Sequence, residues 1–295
     1  MEKAKAAAFQ GDIKTAKKAA RANARLLLKG LSAAEREEQS QKAAALFLNS
    51  SIYKDAECVA AFFSLADEVD IFPIIARAFI DKKRVLLPRI VAGSNAMDFY
   101  ELAAPLGLAS DFSAAPVLGV ESVSESAAPE KQSVILPLRV IMARKLFTCA
   151  LTSAVIPALD AGIFCAKDCR VKPGNDTVEA VPPRVPGLQR LSSALFAQTE
   201  ANAWGIREPL PTLPLVSKDK IPARTAILVP GLAFCKDGRR LGRGKGFYDR
   251  YLSELLAANP AFAGRGKICG YCMARQIMDN VPTEENDVRV QALFC

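Results

Sequence analysis

The sequence predicts an α/β fold: a single domain layered as α/β/α around a mainly parallel central sheet and interrupted by a long insertion. Short apolar runs of strand length alternate with segments of helical periodicity, which is the pattern that βαβ units produce. With 51% apolar and 24% charged residues over 295 positions, the composition is that of a globular protein with a substantial core.

The N-terminal part is predicted to form two helices. Residues 13–29 are rich in Ala, Leu and Lys, and Lys17 and Arg21 lie one turn apart on a basic face. Ser32 and Glu35 have the spacing of a capping box, so a second helix should begin there and run to about Leu48.

The remaining elements continue the alternation of strands and helices. In the first half, we expect strands at 57–63, 84–88 and 97–102 and a helix at 71–80. In the second half, we expect helices at 192–200 and 247–256 and strands at 226–230, 267–273 and 287–293. The Gly- and Arg-rich segment 231–246 is predicted to be a loop between a buried strand and a helix.

Residues 109–190 break this alternation and are predicted to be an insertion into one domain formed by 1–108 and 191–295. They carry Ser, Pro, Ala and Gly without a steady period. Within them, 155–164 and 168–176 resemble translated palindromic repeat elements of the kind scattered through some bacterial genomes. Because a longer surface loop adds little closure entropy, we expect an irregular, poorly ordered insertion. A genuine small domain is the alternative.

Two features bear on the cellular compartment. The mostly apolar stretch 146–166 has the length of a membrane span, but Asp160 near its middle costs a few kcal/mol on insertion scales, so we expect no span. Residues 1–20 are rich in Lys and Ala and lack the apolar region of a signal peptide. We therefore expect a cytoplasmic protein without a membrane partner.

The composition excludes several kinds of site. There is no histidine, which removes histidine triads, histidine zinc ligands and histidine general bases. The eight cysteines are too sparse for a disulfide scaffold. Because Cys269 and Cys272 fall in a predicted strand and Cys165 and Cys169 in the insertion, we expect no zinc site. The net charge of +8 suits anionic partners such as nucleotides.

The segment most informative about function is 239–250, RRLGRGKGFYDR. Its glycines at alternate positions, Gly242, Gly244 and Gly246, let the backbone approach a ligand, and cationic side chains lie among them. The helix that follows offers free N–H groups and the positive end of its dipole. This pattern indicates an anion-binding loop suited to a polyphosphate.

The loop fits neither of two common phosphate-binding motifs. A P-loop requires Ser or Thr after its lysine, whereas Gly246 follows Lys245, and the glycine spacing differs from that of a dinucleotide-binding fingerprint. By pattern alone, a flexible basic hairpin is an equally good interpretation.

The segments LVPGLAF at 228–234 and RLGRGKGFYD at 240–249 resemble the signature of the 5-formyltetrahydrofolate cyclo-ligase family. Further co-linear matches extend the resemblance over roughly 13–102 and 191–295. They are Lys17-x₃-Arg21 with Leu31-Ser32, Phe62-Phe63-Ser64-x₃-Glu68, Leu87-Pro88-Arg89, Met97, Trp204-Gly205-Ile206-x-Glu208-Pro209 and Glu285-Asn286-Asp287-Val288.

The resemblance implies an ATP- and Mg²⁺-dependent ligase that converts 5-formyltetrahydrofolate into 5,10-methenyltetrahydrofolate. The formyl oxygen takes the γ-phosphoryl group of ATP, N10 attacks the activated carbon, and phosphate leaves. A site rich in Arg, Lys and Asp suits phosphoryl transfer, which asks the protein mainly for positioning and charge neutralisation. The resemblance further implies a monomer that takes a small-molecule folate, which can be polyglutamylated, and no nucleic acid.

The same resemblance implies roles for individual residues. ATP would be bound by Lys17, Arg21, Arg240, Leu241, Gly242, Gly244, Gly246 and Phe247. Catalysis would involve Arg243, Lys245 and Tyr248, and Mg²⁺ would be held by Asp249 and Asp287. The folate would contact Phe63, Glu68, Met97 and Trp204, with Glu68 accepting hydrogen bonds from the pterin ring. Without the resemblance, Lys17 and Arg21 would be interpreted as part of a solvated basic face, and the residues on the folate side as ordinary core.

The sequence departs from the family pattern at three positions and leaves other functions open. Phe247 stands where Tyr is usual, Cys235 where Asp is frequent, and Asn286 where His is frequent. A catalytically impaired member that still binds folate or nucleotide is one alternative. A nucleic-acid binder is another, but the basic segments lack the interleaved aromatic residues that stack on bases.

Overall fold

The computed structural model describes residues 2–105, 186–203 and 205–295. In the N-terminal part, the helices are α1 (Glu2–Lys29), α2 (Ala33–Asn49), α3 (Ser51–Asp55) and α4 (Phe72–Ile80). The strands of this part are β1 (Cys58–Ala60), β2 (Arg84–Ile90) and β3 (Met97–Leu102).

The C-terminal part contributes further helices and strands. The helices are α5 (Pro186–Ala197), α6 (Phe247–Ala258) and α7 (Pro260–Arg265). The strands are β4 (Thr199–Ala201), β5 (Arg207–Pro209), β6 (Leu215–Val216), β7 (Thr225–Val229), β8 (Ala233–Phe234), β9 (Arg240–Leu241), β10 (Lys267–Tyr271) and β11 (Ala292–Phe294).

A mainly parallel sheet organises these elements. Within the described residues it has seven strands, in the order β11-β10-β7-β1-β2-β3-β6. The neighbours from β11 to β2 are parallel, whereas β3 runs antiparallel to β2 and to β6 at one edge. The predicted mainly parallel sheet is therefore confirmed, with an antiparallel edge that the sequence alone did not indicate.

Helices cover both faces of the sheet, as the α/β/α prediction requires. Successive residues of a strand point to opposite faces. In β7, Ala226 and Leu228 pack in the cluster that contains buried residues of α1, α2 and α4. Ile227 and Val229 pack in the cluster of α6 and α7. Because both faces are covered, β7 reads as a continuous apolar run rather than an alternating one.

Local signals set several element boundaries. The Ser32 hydroxyl accepts the Glu35 N–H and the Glu35 carboxylate accepts the Ser32 N–H, so the predicted capping box opens α2. The first helix begins at Glu2, earlier than the predicted residue 13. Short elements that the sequence pattern did not indicate are α3, α7, β6 and the β4–β5 pair.

Two predicted segments differ from the structure. Residues 231–246 are not a plain loop, because β8 and β9 pair within them as a short hairpin. The closing strand predicted at 287–293 contains only Ala292 and Leu293, and continues to Phe294. Its earlier residues are held elsewhere: the Val288 N–H donates to Asp249, and the Val290 N–H donates to Gly238.

The predicted insertion lies largely outside the described residues. The repeat-like stretches, the apolar stretch 146–166 and the Cys165–Cys169 pair all fall there. Helix α5 begins at Pro186, inside the predicted insertion 109–190 and earlier than the helix expected at 192–200. No helix among the residues that the structure describes combines the length and the apolar character needed to cross a membrane.

Candidate active site

A cavity of ≈420 Å³ lies at the carboxyl ends of the parallel strands β1 and β7. Phe62 and Phe63 follow β1 and line the cavity, and Pro230 and Gly231 follow β7 and line it from the neighbouring strand. Open α/β sheets bind their ligands in the crevice beyond the carboxyl ends of the strands. The topology of the sheet therefore places this cavity where a ligand is expected.

Apolar side chains form one wall of the cavity. Phe63 and Met97 are 7% and 4% exposed, and both line the cavity together with Ile206. Phe63 and Met97 were predicted to contact a folate, and the structure brings them together on one wall. Trp204, predicted with them, lies outside the described residues.

The Gly- and Arg-rich segment forms another part of the cavity wall. Gly244 and Gly246 have φ values of +110° and +68°, where L side chains are strained, whereas Gly242 has no positive φ. Gly246 is the N-cap of α6 and provides no side-chain hydrogen bond. The first N–H groups of α6 therefore lack a capping side chain, and an anion is a suitable partner for them.

Helix α1 delivers its two predicted cations to this wall. Lys17 is 8% exposed, and its Nζ lies 2.6 Å from Asp287 Oδ2 and 3.1 Å from Glu284 Oε2. The Arg21 Nε donates to the Gly242 carbonyl oxygen at 3.0 Å. At these two positions the predicted basic face of α1 is therefore paired rather than solvated, Lys17 with two carboxylates and Arg21 with the loop.

Arg243 and Glu68, which were predicted to bind different ligands, contact each other. Arg243 Nη2 lies 2.9 Å from Glu68 Oε1 and 2.7 Å from Asp67 Oδ1. The Glu68 side chain is only 8% exposed, and its other oxygen accepts the Leu65 N–H at 3.0 Å. Burial raises the pKa of Glu68, while the nearby guanidinium opposes that increase. The ion pair joins the loop to the segment after β1 across the cavity.

Arg240 pairs with one of the two predicted magnesium ligands. It is 6% exposed, its Nη2 lies 2.5 Å from Asp249 Oδ1, and its buried Nε has no partner among the described residues. Asp249 Oδ1 also accepts the Val288 N–H at 3.2 Å, so Asp287 is next to a residue that touches Asp249. The structure thus brings both predicted aspartates to one place.

The donor set at these two aspartates fits Mg²⁺. In the described part of the chain, each carboxylate uses one oxygen for its contacts, Asp249 Oδ1 and Asp287 Oδ2, which leaves the other oxygen for a cation. No cluster of three or more His, Cys, Asp or Glu side chains suited to a metal occurs among the described residues. Mg²⁺ does not require one, since it is commonly bound by one or two carboxylates together with substrate phosphates.

The other predicted loop residues take different positions. Lys245 is exposed and lines the cavity, and Leu241 is buried in the β8–β9 hairpin. Phe247 lines the cavity and packs against the apolar cluster of α6. The Tyr248 hydroxyl is buried without a hydrogen-bond partner among the described residues, and burial raises the pKa of that phenol. Tyr248 is therefore a neutral donor beside the cavity.

The structure adds acidic residues that the sequence did not single out as site residues. Asp67 and Glu284 contact Arg243 and Lys17, respectively. Glu208, 6% exposed, lines the cavity and accepts hydrogen bonds from the Ile90 N–H and from Asn202. Each lies beside or within a motif already noted, but no local pattern reveals which group it contacts.

The fold and the site define an α/β protein in which a cationic glycine loop, backed by a basic helix, faces an apolar cavity at the carboxyl edge of the sheet. The chain belongs to the 5-formyltetrahydrofolate cyclo-ligase family, whose model matches residues 13–140 and 185–295. The family membership predicted from the sequence is confirmed.

Named relatives agree with this family. Probable 5-formyltetrahydrofolate cyclo-ligases of Schizosaccharomyces pombe and Caenorhabditis elegans are 34% and 35% identical to it over 145 and 99 residues, which are 47% and 34% of this chain. The matched segments span 70% of the S. pombe protein and about half, 47%, of the C. elegans protein.

The solution structure of the 5,10-methenyltetrahydrofolate synthetase of Aquifex aeolicus is similar in fold. It has a TM-score of 0.50 and 19% identity, and the match covers 94% of this chain and 88% of that one. The predicted fold class is confirmed by this likeness and by the sheet topology.

Proposed function

We propose that the protein catalyses the ATP-dependent cyclisation of 5-formyltetrahydrofolate to 5,10-methenyltetrahydrofolate, with release of ADP and phosphate. The observation that carries the proposal is that one cavity has both required walls. Phe63 and Met97 line it, and so do Arg243, Lys245 and Gly246 of the loop. Its ≈420 Å³ lies within the range of about 300–1,000 Å³ typical of small-molecule sites.

The triphosphate would lie against the loop and α1. Among the described residues, Arg21 makes a hydrogen bond only through its Nε, to the Gly242 carbonyl, so the rest of its guanidinium can face a phosphate. Lys245 is exposed at the cavity, and the N-terminus of α6 offers backbone N–H groups. In this proposal Lys17, Arg240, Leu241, Gly242, Gly244 and Phe247 complete the nucleotide site.

The reaction would use these groups to neutralise charge. The formyl oxygen attacks the γ-phosphorus and ADP leaves; N10 then attacks the activated formyl carbon, and phosphate departs with the former formyl oxygen. Lys245 and Arg243 would stabilise charge on the transferred group. Tyr248, whose hydroxyl is buried and protonated, would donate a hydrogen bond at the substrate edge of the loop.

The pterin would occupy the apolar side. Phe63, Met97 and Trp204 would contact its faces, and Glu68 would accept hydrogen bonds from its ring N–H groups. Asp249 and Asp287 would hold Mg²⁺, which supplies positive charge to the phosphates. Because Glu68 is already paired with Arg243, binding of the two ligands requires that pair to loosen or to be shared.

Finer features belong to the same proposal. We propose a cytoplasmic monomer that accepts polyglutamylated as well as monoglutamyl folate and acts without a nucleic-acid or membrane partner. The carboxylate partners of Lys17, Arg240 and Arg243 support the proposed lack of a nucleic-acid partner, because these cations face acidic side chains of the site rather than an open basic surface.

The test is a turnover assay on the intact protein. Methenyl product should form only when 5-formyltetrahydrofolate, ATP and Mg²⁺ are all present, and Lys245→Ala should abolish most turnover. Arg265→Ala, which alters an exposed arginine on α7, is the matched control and should match wild type. If folate and ATP raise the melting temperature but no product forms, the impaired binding protein is the correct interpretation.

A further inference from the structure

Arg250 in the first turn of α6 bridges two segments that border the cavity. Its Nε and Nη2 donate to the Asn95 carbonyl oxygen at 2.9 and 2.7 Å, and Nη2 also donates to the Lys245 carbonyl oxygen at 2.7 Å. Asn95 lies in the turn between β2 and β3, and Met97 at the start of β3 lines the cavity. One guanidinium therefore connects the apolar wall to the loop.

Helix stability does not explain an arginine at this position. A cation in the first turn of a helix opposes the helix dipole, at a cost of about 0.3–1 kcal/mol. Ordering a long side chain at an exposed site costs up to about 2 kcal/mol of rotamer entropy. The hydrogen bonds to two carbonyl groups from separate segments are what hold Arg250 in its conformation.

The loop is shaped to receive this side chain. A Cβ at Gly246 would lie 3.3 Å from Arg250 Nη1, which is tighter than most Cβ contacts, so glycine at this position leaves room for the guanidinium to pack against the loop. The Arg250 guanidinium also lies 5.9 Å from the Phe247 ring. These contacts hold the backbone of Lys245 while its side chain remains exposed at the cavity.

We propose that Arg250 is a positioning residue of the reaction. By holding the Lys245 carbonyl and the β2–β3 turn together, it fixes the separation between the side chain that faces the phosphates and the wall that faces the pterin. This inference rests on the proposed function, because only a reaction between those two ligands makes their separation matter.

The contacts distinguish this role from direct binding of the nucleotide. Arg250 directs Nε and Nη2 at carbonyl oxygens, which are uncharged acceptors of the protein itself. A planar guanidinium can bridge both, whereas a lysine ammonium at the same place cannot reproduce the pair of bonds. A residue that bound phosphate directly would depend on charge more than on this geometry.

The experiment compares Arg250→Met and Arg250→Lys with Arg265→Met, an exposed arginine on the adjacent helix. Because a misplacement of about 1 Å can cost about 10²-fold in rate, we expect Arg250→Met to lower kcat by about tenfold to a hundredfold. Both KM values should stay within about threefold of wild type. Arg250→Lys should be intermediate, and Arg265→Met should match wild type.

Two kinetic outcomes would overturn the inference while leaving the proposed function intact. One is a kcat of Arg250→Met within about twofold of the Arg265→Met control. The other is an unchanged kcat with a raised KM for ATP, which would make Arg250 a direct ligand of the nucleotide.

If wild type itself shows no turnover, the proposed function fails and the positioning role fails with it, and amide hydrogen exchange then tests the structural bridge alone. Arg250→Met should then speed exchange in 91–96 and 243–247 together, relative to Arg265→Met. Equal exchange in the two variants would overturn the bridge.

Discussion

Replacing Arg243 with methionine should destabilise the protein through Glu68, a residue that is distant in sequence. The pair lies 2.9 Å apart, and the Glu68 side chain is 8% exposed, so the carboxylate depends on the guanidinium for its counter-charge. Leaving one partner of a buried pair alone costs about 3–5 kcal/mol. Because the Arg243 side chain is 35% exposed, solvent screens part of the attraction, and we expect about 2 kcal/mol.

The stability lost in Arg243→Met should depend on pH, and the titration of Glu68 decides the direction of that dependence. Burial raises the pKa of this carboxyl group and Arg243 opposes that increase, so the substitution should raise the pKa further. A carboxyl group whose pKa is raised on folding costs nothing below its unfolded pKa of about 4.3, where it is protonated in both states. The cost grows as the pH rises from that unfolded pKa to the raised folded pKa, and it is constant above it. The Arg243→Met variant should therefore be weakest at neutral pH and approach wild type in acid.

Urea unfolding of four proteins checks this reasoning: wild type, Arg243→Met, Glu68→Gln and the double variant. At pH 7, we expect Arg243→Met to lose about 2 kcal/mol of the free energy of unfolding. In the double variant most of that loss should disappear, because a neutral amide needs no cation. The reasoning is refuted if Arg243→Met equals wild type at pH 7. It is also refuted if Arg243→Met loses as much stability at pH 5 as at pH 7 and as much in the Glu68→Gln background as in wild type.

Three further predictions follow from other contacts. Lys17→Met should lower the free energy of unfolding by about 1–3 kcal/mol, measured in urea, because two carboxylates lose their donor. Gly238→Ala should lower the free energy of unfolding, measured in urea, clearly more than Gly93→Ala does. Both glycines have positive φ, which costs an alanine about 1–2 kcal/mol, but only at 238 would the new Cβ lie 2.2 Å from a carbonyl oxygen. Equal losses would contradict this. A hydrogen bond with Cys272 lowers the pKa of the Cys295 thiol to about 7. The rate at which Cys295 is alkylated, measured by mass spectrometry, should therefore rise with a midpoint near pH 7, and Cys272→Ala should slow the alkylation.

The elements predicted well are those whose signals are local. The capping box at Ser32 spans only a few residues, and both of its hydrogen bonds form. The strand predicted at 97–102 has the bounds Met97–Leu102 in the structure. The two-residue strands β8 and β9 went unpredicted because periodicity cannot be read from so short a run.

The contacts inside the site could not be predicted from sequence because their partners are far apart along the chain. Lys17 and Asp287 are separated by 270 positions, and Arg243 and Glu68 by 175. The family resemblance predicted both members of each pair as site residues. It did not show that they face each other, because that depends on how α1 and the segment after β1 pack against the loop.

This pairing changes what the loop's charge can do. Of its cations, Arg240 faces Asp249 and Arg243 faces Glu68 and Asp67, while Lys245 is exposed at the cavity. A phosphate that binds the paired arginines replaces a carboxylate rather than water, so its net gain in free energy is smaller than the motif's charge suggests. The displaced carboxylates include Glu68 and Asp249, which are the groups proposed to bind the pterin and Mg²⁺. Binding of the nucleotide should therefore strengthen binding of the other ligands, because it releases their acceptors.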